Sequence, residues 1–138
     1  MIYTVTLNPA LDKTVEIPGM ALDTVNRITE MRTDPGGTGI NVSKVIAKLG
    51  GDSRAVGILG GESGKMLEKL LEGEPFATRF RFVEGQTRTN IKIIDRERHT
   101  NTDINEPGLT VTAAGGIAGV SRQRQKGTGH QVWFPVPS

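Results

Sequence analysis

The stretch Gly36-Gly37-Thr38-Gly39-Ile40-Asn41-Val42-Ser43 decides how this chain reads. Glycines in such a run let backbone N–H groups approach a ligand, and a helix opening behind them points its N-terminus at anionic or hydroxyl-rich groups. Val42, Val45, Ile46 and Leu49 follow at i, i+3, i+4 and i+7, so the spacing predicts a helix with one apolar stripe. Gly50-Gly51 supply its stop. Asn41 falls in the first turn, where its amide can reach the mouth of the loop. Gly36-Gly37 would serve a plain strand-to-helix turn equally well, and spacing alone leaves both readings open.

Upstream, Ile2–Leu7 is a β-branched run ended by Asn8-Pro9, and Lys13–Ile17 and Asn26–Thr33 alternate polar with apolar residues. Asp34-Pro35-Gly36-Gly37 reads as a loop. Downstream, Arg54–Leu59 is a second buried strand, and Met66, Leu67, Leu70 and Leu71 mark a second helix. Thr78–Val83, Thr87–Asp95 and His99–Ile104 alternate again, the last two joined by Arg96-Glu97-Arg98. Strand–helix–strand alternation predicts an α/β layer with parallel strands. The strands near 13–18, 26–33, 87–95 and 99–104 do not fit inside that layer. They predict a small accessory sheet with one wet face. The expected domain therefore covers 1–112. Residues 113–138 lose all periodicity, and a poorly ordered tail is expected there.

A chain of 138 residues fits one domain, and 36% hydrophobic with 4% aromatic residues predicts an aliphatic core. Without cysteine there are no disulfides or thiolate metal sites. No apolar run approaches the ~20 residues of a membrane span. The start, MIYTVTLNPALD, lacks a basic region followed by an apolar one. A soluble cytoplasmic protein, with no membrane partner, is expected. Residues up to Glu106 carry fourteen basic and fifteen acidic residues, and the remainder carries Arg122, Arg124 and Lys126. Three cations without interleaved aromatics argue against a nucleic-acid partner.

Two further signals could carry chemistry. Asp12, in Asn8-Pro9-Ala10-Leu11-Asp12, follows the first strand, where ligands of open α/β sheets bind; it could accept sugar hydroxyls, or be a solvated turn residue. In Thr87-Arg88-Thr89-Asn90-Ile91-Lys92-Ile93, the residues Arg88, Asn90 and Lys92 share a strand face at period two. Arg88 offers a planar fork for phosphate and Lys92 a point charge, although an ordinary wet strand face has the same pattern. Arg27, heading another wet strand, could join them. Leu59-Gly60-Gly61-Glu62-Ser63-Gly64-Lys65-Met66 is not a phosphate loop, because it lacks the leading glycine and has Met66 where a hydroxyl would hold magnesium. His99 and His130 are isolated, so no metal site is expected.

Taken together, TLNPALD, GGTGINVSKV, LGGESGK, TRTNIKIID and TDINEPG, in this order from Met1 to about Ala113, resemble the phosphofructokinase B family of carbohydrate kinases, and its 1-phosphofructokinases most. The resemblance implies a ribokinase-like α/β/α sandwich, here its N-terminal portion, with a β-sheet lid that pairs two subunits. It implies that Asp12 contacts sugar hydroxyls, that Gly36, Gly37, Gly39 and Asn41 line the same pocket, and that Arg88 faces the substrate phosphate, with Lys92 and Arg27 as further contacts. The implied reaction joins ATP and fructose 1-phosphate, with Mg²⁺, to give ADP and fructose 1,6-bisphosphate. Two departures stand out. The family loop usually reads Gly-Gly-Lys-Gly, and Thr38 replaces the lysine. Full members are roughly twice this length, and their later half carries an Asn-x-x-Glu motif and a Gly-Ala-Gly-Asp motif with the catalytic base. Neither is present, so this chain is expected to supply no catalytic residue, to lack most of the ATP and Mg²⁺ sites, and to be inactive alone. The alternatives are a non-catalytic sugar-phosphate-binding or lid-pairing module, and a truncated product without function.

Overall fold

β-branched and aliphatic residues place Ile2–Thr6 (β1), Ser53–Gly60 (β4) and Ala77–Val83 (β5) side by side as parallel strands. The computed structural model describes residues 1–109 and 131–135. Between these strands lie Ala10–Glu16 (β2), Glu30–Gly36 (β3), and the helices Thr38–Lys48 (α1) and Gly61–Leu71 (α2). Arg88–Asp95 (β6), Thr100–Asn105 (β7) and Gln131–Pro135 (β8) complete the order. The strands form two four-stranded sheets, β5-β4-β1-β8 and β3-β2-β6-β7.

Alternation along β4 sorts the core. Ala55 and Leu59 face Ile40 of α1 and Leu67 and Leu71 of α2, while Val56 and Ile58 face Val5, Leu7 and Leu109 on the opposite side. Both helices therefore cover one face of the first sheet, as right-handed crossovers require when the chain steps from β1 to β4 to β5. Leu67 and Leu71 are fully buried, each contributing about 1.5–3 kcal/mol. Among the described residues no helix is long and apolar enough to cross a membrane.

The second sheet is the accessory sheet expected from the alternating strands, with shifted bounds. β3 runs through Asp34-Pro35-Gly36, which read as a loop. It is an edge strand, where a proline without an N–H costs no ladder bond. Residues near 26–29 stay out of the strand. Asn26 closes the loop before them, its side chain accepting from the Ala21 N–H at 2.9 Å and donating to the Ala21 carbonyl at 2.8 Å. The sheet is two-faced: Val15, Ile17 and Ile93 bury on one side with Met20 and Ile91.

The apolar stripe expected on α1 does not face the first sheet. Val45 and Leu49 are 55% and 83% exposed, whereas Gly39, Ile40 and Ser43 are buried. Small residues decide this. A Cβ at Gly39 would strike Thr6 Oγ1 and approach the Val5 carbonyl at 3.0 Å, so only a near-bare face can lie this close to β1. Ser43 then closes the contact, its hydroxyl 2.7 Å from Thr4 Oγ1 and accepting from Ser53 Oγ at 3.0 Å.

The tail expected over 113–138 lies outside the described residues except at 131–135. There the chain forms β8, antiparallel to β1. An open strand edge offers a row of backbone donors and acceptors, and a run such as Gln131-Val132-Trp133-Phe134 suits it.

Gly39→Ala is expected to destabilise the chain by about 1–3 kcal/mol in urea denaturation, through overpacking of α1 on β1. Gly73→Ala, whose Cβ would meet open space, is expected to change stability by less than about 0.5 kcal/mol.

Candidate functional site

The site is built by register. Asp12 on β2 stands opposite Asp34 on β3 and Asn90 on β6, and Asn90 stands opposite Asn105 on β7. Two residues along, Thr14 stands opposite Arg32 and Lys92, and Lys92 opposite Asp103. Cross-strand partners share a sheet face. The second sheet thus presents two parallel rows, Asp34–Asp12–Asn90–Asn105 and Arg32–Thr14–Lys92–Asp103. All eight residues line a cleft of about 430 Å³. Asn41 and Lys44 of α1 close its side. Arg32, Lys44 and Lys92 line it against Asp12, Asp34 and Asp103, a near balance of charge among many hydroxyl-binding groups.

Gly36 makes room for Asp12. A Cβ at residue 36 would overlap the Asp12 carboxylate, so a side chain on β3 there would evict it. Burial pushes the Asp12 carboxyl above the usual aspartate range; a hydrogen bond from Asn90 and the charges of Arg88 and Lys92 pull the other way, and Asp34 adds to the rise. Gly37 has φ 135° and a Cβ there would press on Thr6 Cγ2 at 2.8 Å, a conformation and a space that only glycine suits. Gly37 and Gly39 thus seat α1, and Asn41 follows in its first turn.

Arg88 is placed by a latch between the two sheets. The Gly60 N–H donates to Thr87 Oγ1 at 2.9 Å, the Thr87 N–H returns to the Gly60 carbonyl at 2.9 Å, and Ser63 Oγ donates to the Thr87 carbonyl at 2.6 Å. The Gly60-Gly61 pair therefore works as a helix entry and a latch. Arg88 Nη2 donates to the Asn8 carbonyl at 3.0 Å, and Nε is buried without a partner. Its guanidinium sits beside the cleft, at the Asn8-Pro9 loop, rather than in the lining. Arg27 is exposed on the connection between β2 and β3 and does not reach the cleft.

Several lining residues carried no signal in the sequence. Lys44 lies on α1, its ammonium donating to the Pro35 carbonyl at 3.1 Å. It brings a cation to a cleft whose glycine loop has Thr38. Arg32, Asp34, Asp103 and Asn105 become visible only once strand register is known. Arg32 and Asp34 pair at 3.1 Å with both side chains largely exposed, an ion pair of little weight in stability. Among the described residues, no three His, Cys, Asp or Glu side chains gather to hold a metal ion.

Asp95 anchors the far end of the same sheet. It is 3% exposed and accepts from the backbone N–H groups of Gly19, Met20, Glu97 and Arg98 at 3.0–3.2 Å. Burial alone would raise its pKa, but the four donors win and hold it below the usual range.

The two carboxylates predict opposite pH effects. Asp12 is more basic folded than unfolded, so its ionisation disfavours the folded state as pH rises above the usual carboxylate value. Asp12→Asn is expected to raise the urea midpoint at pH 7, with the gain vanishing as pH falls below that value. Asp95 is more acidic folded, so its stabilisation is present at neutral pH and lost as pH falls through its lowered value. Asp95→Asn is expected to lower the midpoint at pH 7, with the deficit closing in acid.

Residues 5–113 match the pfkB family of carbohydrate kinases. The chain is 37% identical over 113 residues to a 1-phosphofructokinase of Rhodobacter capsulatus, covering 82% of this chain and 36% of that protein. A possible 1-phosphofructokinase of Thermotoga maritima, known by crystal structure, is 44% identical, with a TM-score of 0.73 over 82% of this chain and 37% of that one. Phosphofructokinase-2 of Escherichia coli, solved in complex with fructose-6-phosphate, is 31% identical, with a TM-score of 0.76 over the same shares. The chain thus matches little more than a third of the length of these relatives. With a matching profile over most of its length and the same ribokinase-like architecture, it belongs to the pfkB family of carbohydrate kinases.

Proposed function

We propose that the cleft binds a ketose phosphate, fructose 1-phosphate first among them, in the manner of the sugar site of a 1-phosphofructokinase. The observation that carries this reading is the pair of rows on the second sheet. Asp12, beside Asn90 and Asn41, offers acceptors and donors to sugar hydroxyls. Lys92 supplies charge to the phosphate from within the cleft. Arg88 lies at its edge with an unused Nε donor, and an arriving phosphate would draw the guanidinium away from the Asn8 carbonyl. Gly36, Gly37 and Gly39 keep the carboxylate and the helix entry close together.

In this reading the parent reaction transfers a phosphoryl group from ATP, with Mg²⁺, to fructose 1-phosphate in the cytoplasm. This chain holds the sugar and leaves the transfer undone. Its sequence contains no Gly-Ala-Gly-Asp run; Gly127-Thr128-Gly129-His130 has no carboxylate at the fourth place. Phosphoryl transfer rests on positioning and charge stabilisation, and general-base help alone is typically worth about 10²–10⁴-fold. Pairing of two copies through the second sheet is a second part of the proposal, favoured by Met31 and Ile104, 59% and 52% exposed on its apolar side.

Calorimetry with fructose 1-phosphate is expected to give saturable heat, weakened about tenfold or more by Arg88→Ala through loss of charge-assisted hydrogen bonds. An absence of heat with the folded wild-type chain would refute sugar-phosphate binding. A coupled ADP-release assay is expected to stay at the no-enzyme rate. Sedimentation velocity is expected to show a dimer that Ile104→Asp converts to monomer.

A further inference from the structure

We propose that Asn90 is a positioning residue: its amide fixes the Asp12 carboxylate toward the cleft and, with it, reads two neighbouring hydroxyls of the ligand. The proposal rests on the sugar-phosphate reading for its ligand, and on the register of β2 and β6 for its geometry.

Asn90 stands directly opposite Asp12 across a parallel pair, and both line the cleft. Asp12 is confined on its other side by the bare backbone of Gly36. The carboxylate therefore lies between a space that admits no side chain and the Asn90 amide directly opposite on β6, a donor that favours its ionised form. That leaves the amide with one acceptor. Asn90 Oδ1 is buried and has no partner, one of three such side-chain atoms among the described residues. A buried acceptor left unpaired is costly. The terminal amide torsion is soft, so a small turn presents Oδ1 to a donor in the cleft. Asp12 and Asn90 then offer two acceptors from adjacent strands, which suits the hydroxyl donors of a sugar better than an anionic group.

Other charges bear on Asp12. Asp34 and Arg32 face it from β3, Arg88 and Lys92 from β6, Asp103 from β7 and Lys44 from α1, with Lys13 beside it on β2. All stay in place when Asn90 is changed, so a change in Asp12 behaviour reports the amide.

The test uses the whole 138-residue chain as wild type, Asn90→Ala, Asn90→Ser and Asn90→Asp. Titration of the Asp12 carboxyl by NMR needs no ligand. Loss of the donor in Asn90→Ala is expected to move that titration to higher pH, Asn90→Ser to restore part of it, and the second carboxylate of Asn90→Asp to move it further up. In calorimetry, Asn90→Ala is expected to weaken fructose 1-phosphate about tenfold while inorganic phosphate changes less than about twofold. An unchanged Asp12 titration in both Asn90→Ala and Asn90→Ser overturns the proposal, as does equal weakening of the two ligands. If Asn90→Ala does not fold, Asn90→Ser decides alone. If wild type binds neither ligand, the sugar-phosphate reading and the hydroxyl-reading role fail together, and the titration still judges whether Asn90 holds Asp12.

Discussion

The Asp12 carboxylate occupies the space that a side chain on residue 36 would fill, and the remaining cleft depends on that packing. Gly36 lies on β3, Asp12 on β2 and Asn90 on β6, so three strands must keep one register for the carboxylate to be held. A slip of one residue would turn every polar group of the two rows to the opposite face. The apolar side of the sheet guards against this, because Val15, Ile17 and Ile93 are buried there.

The same economy of space governs the join to the first sheet. α1 meets β1 through glycine and serine, not through its apolar stripe, and this brings the helix entry and Asn41 to the cleft. The Gly60–Thr87 latch ties the end of β4 to the start of β6 and so sets the position of Arg88. Stability and binding are divided between two carboxylates. Asp95, satisfied by four backbone donors, holds the connection after β2 against the β6–β7 turn. Asp12 is desolvated and only partly compensated, a condition that suits a group awaiting hydroxyl donors.

Much of this was legible in the sequence. Strand–helix alternation points to the three parallel strands of the first sheet but not to β8, which lies where a poorly ordered tail is expected; period-two polarity points to the second sheet, and the candidates Asp12, Asn41 and Lys92 line the cleft. Legibility ended where contacts depend on pairing. Arg32, Asp34, Asp103 and Asn105 look like ordinary wet-strand residues until register aligns them with Asp12 and Lys92. The α1 stripe misled because periodicity identifies an apolar face without saying which face the sheet will admit; a bare Gly39 against Thr6 settled that. Asp34-Pro35-Gly36 has the composition of a turn, yet an edge strand tolerates proline. Arg27 has a cationic side chain but no neighbouring element to carry it to the cleft.

Backbone amide shifts during titration of the ¹⁵N-labelled chain with fructose 1-phosphate test most directly whether two cross-strand rows form one binding surface. The account predicts saturable shifts confined to residues 12–14, 32–36, 41–44, 88–92 and 103–105. Shifts gathered on the apolar side around Val15, Ile17 and Ile93 with none on the rows, or no shifts at saturating ligand, would contradict it.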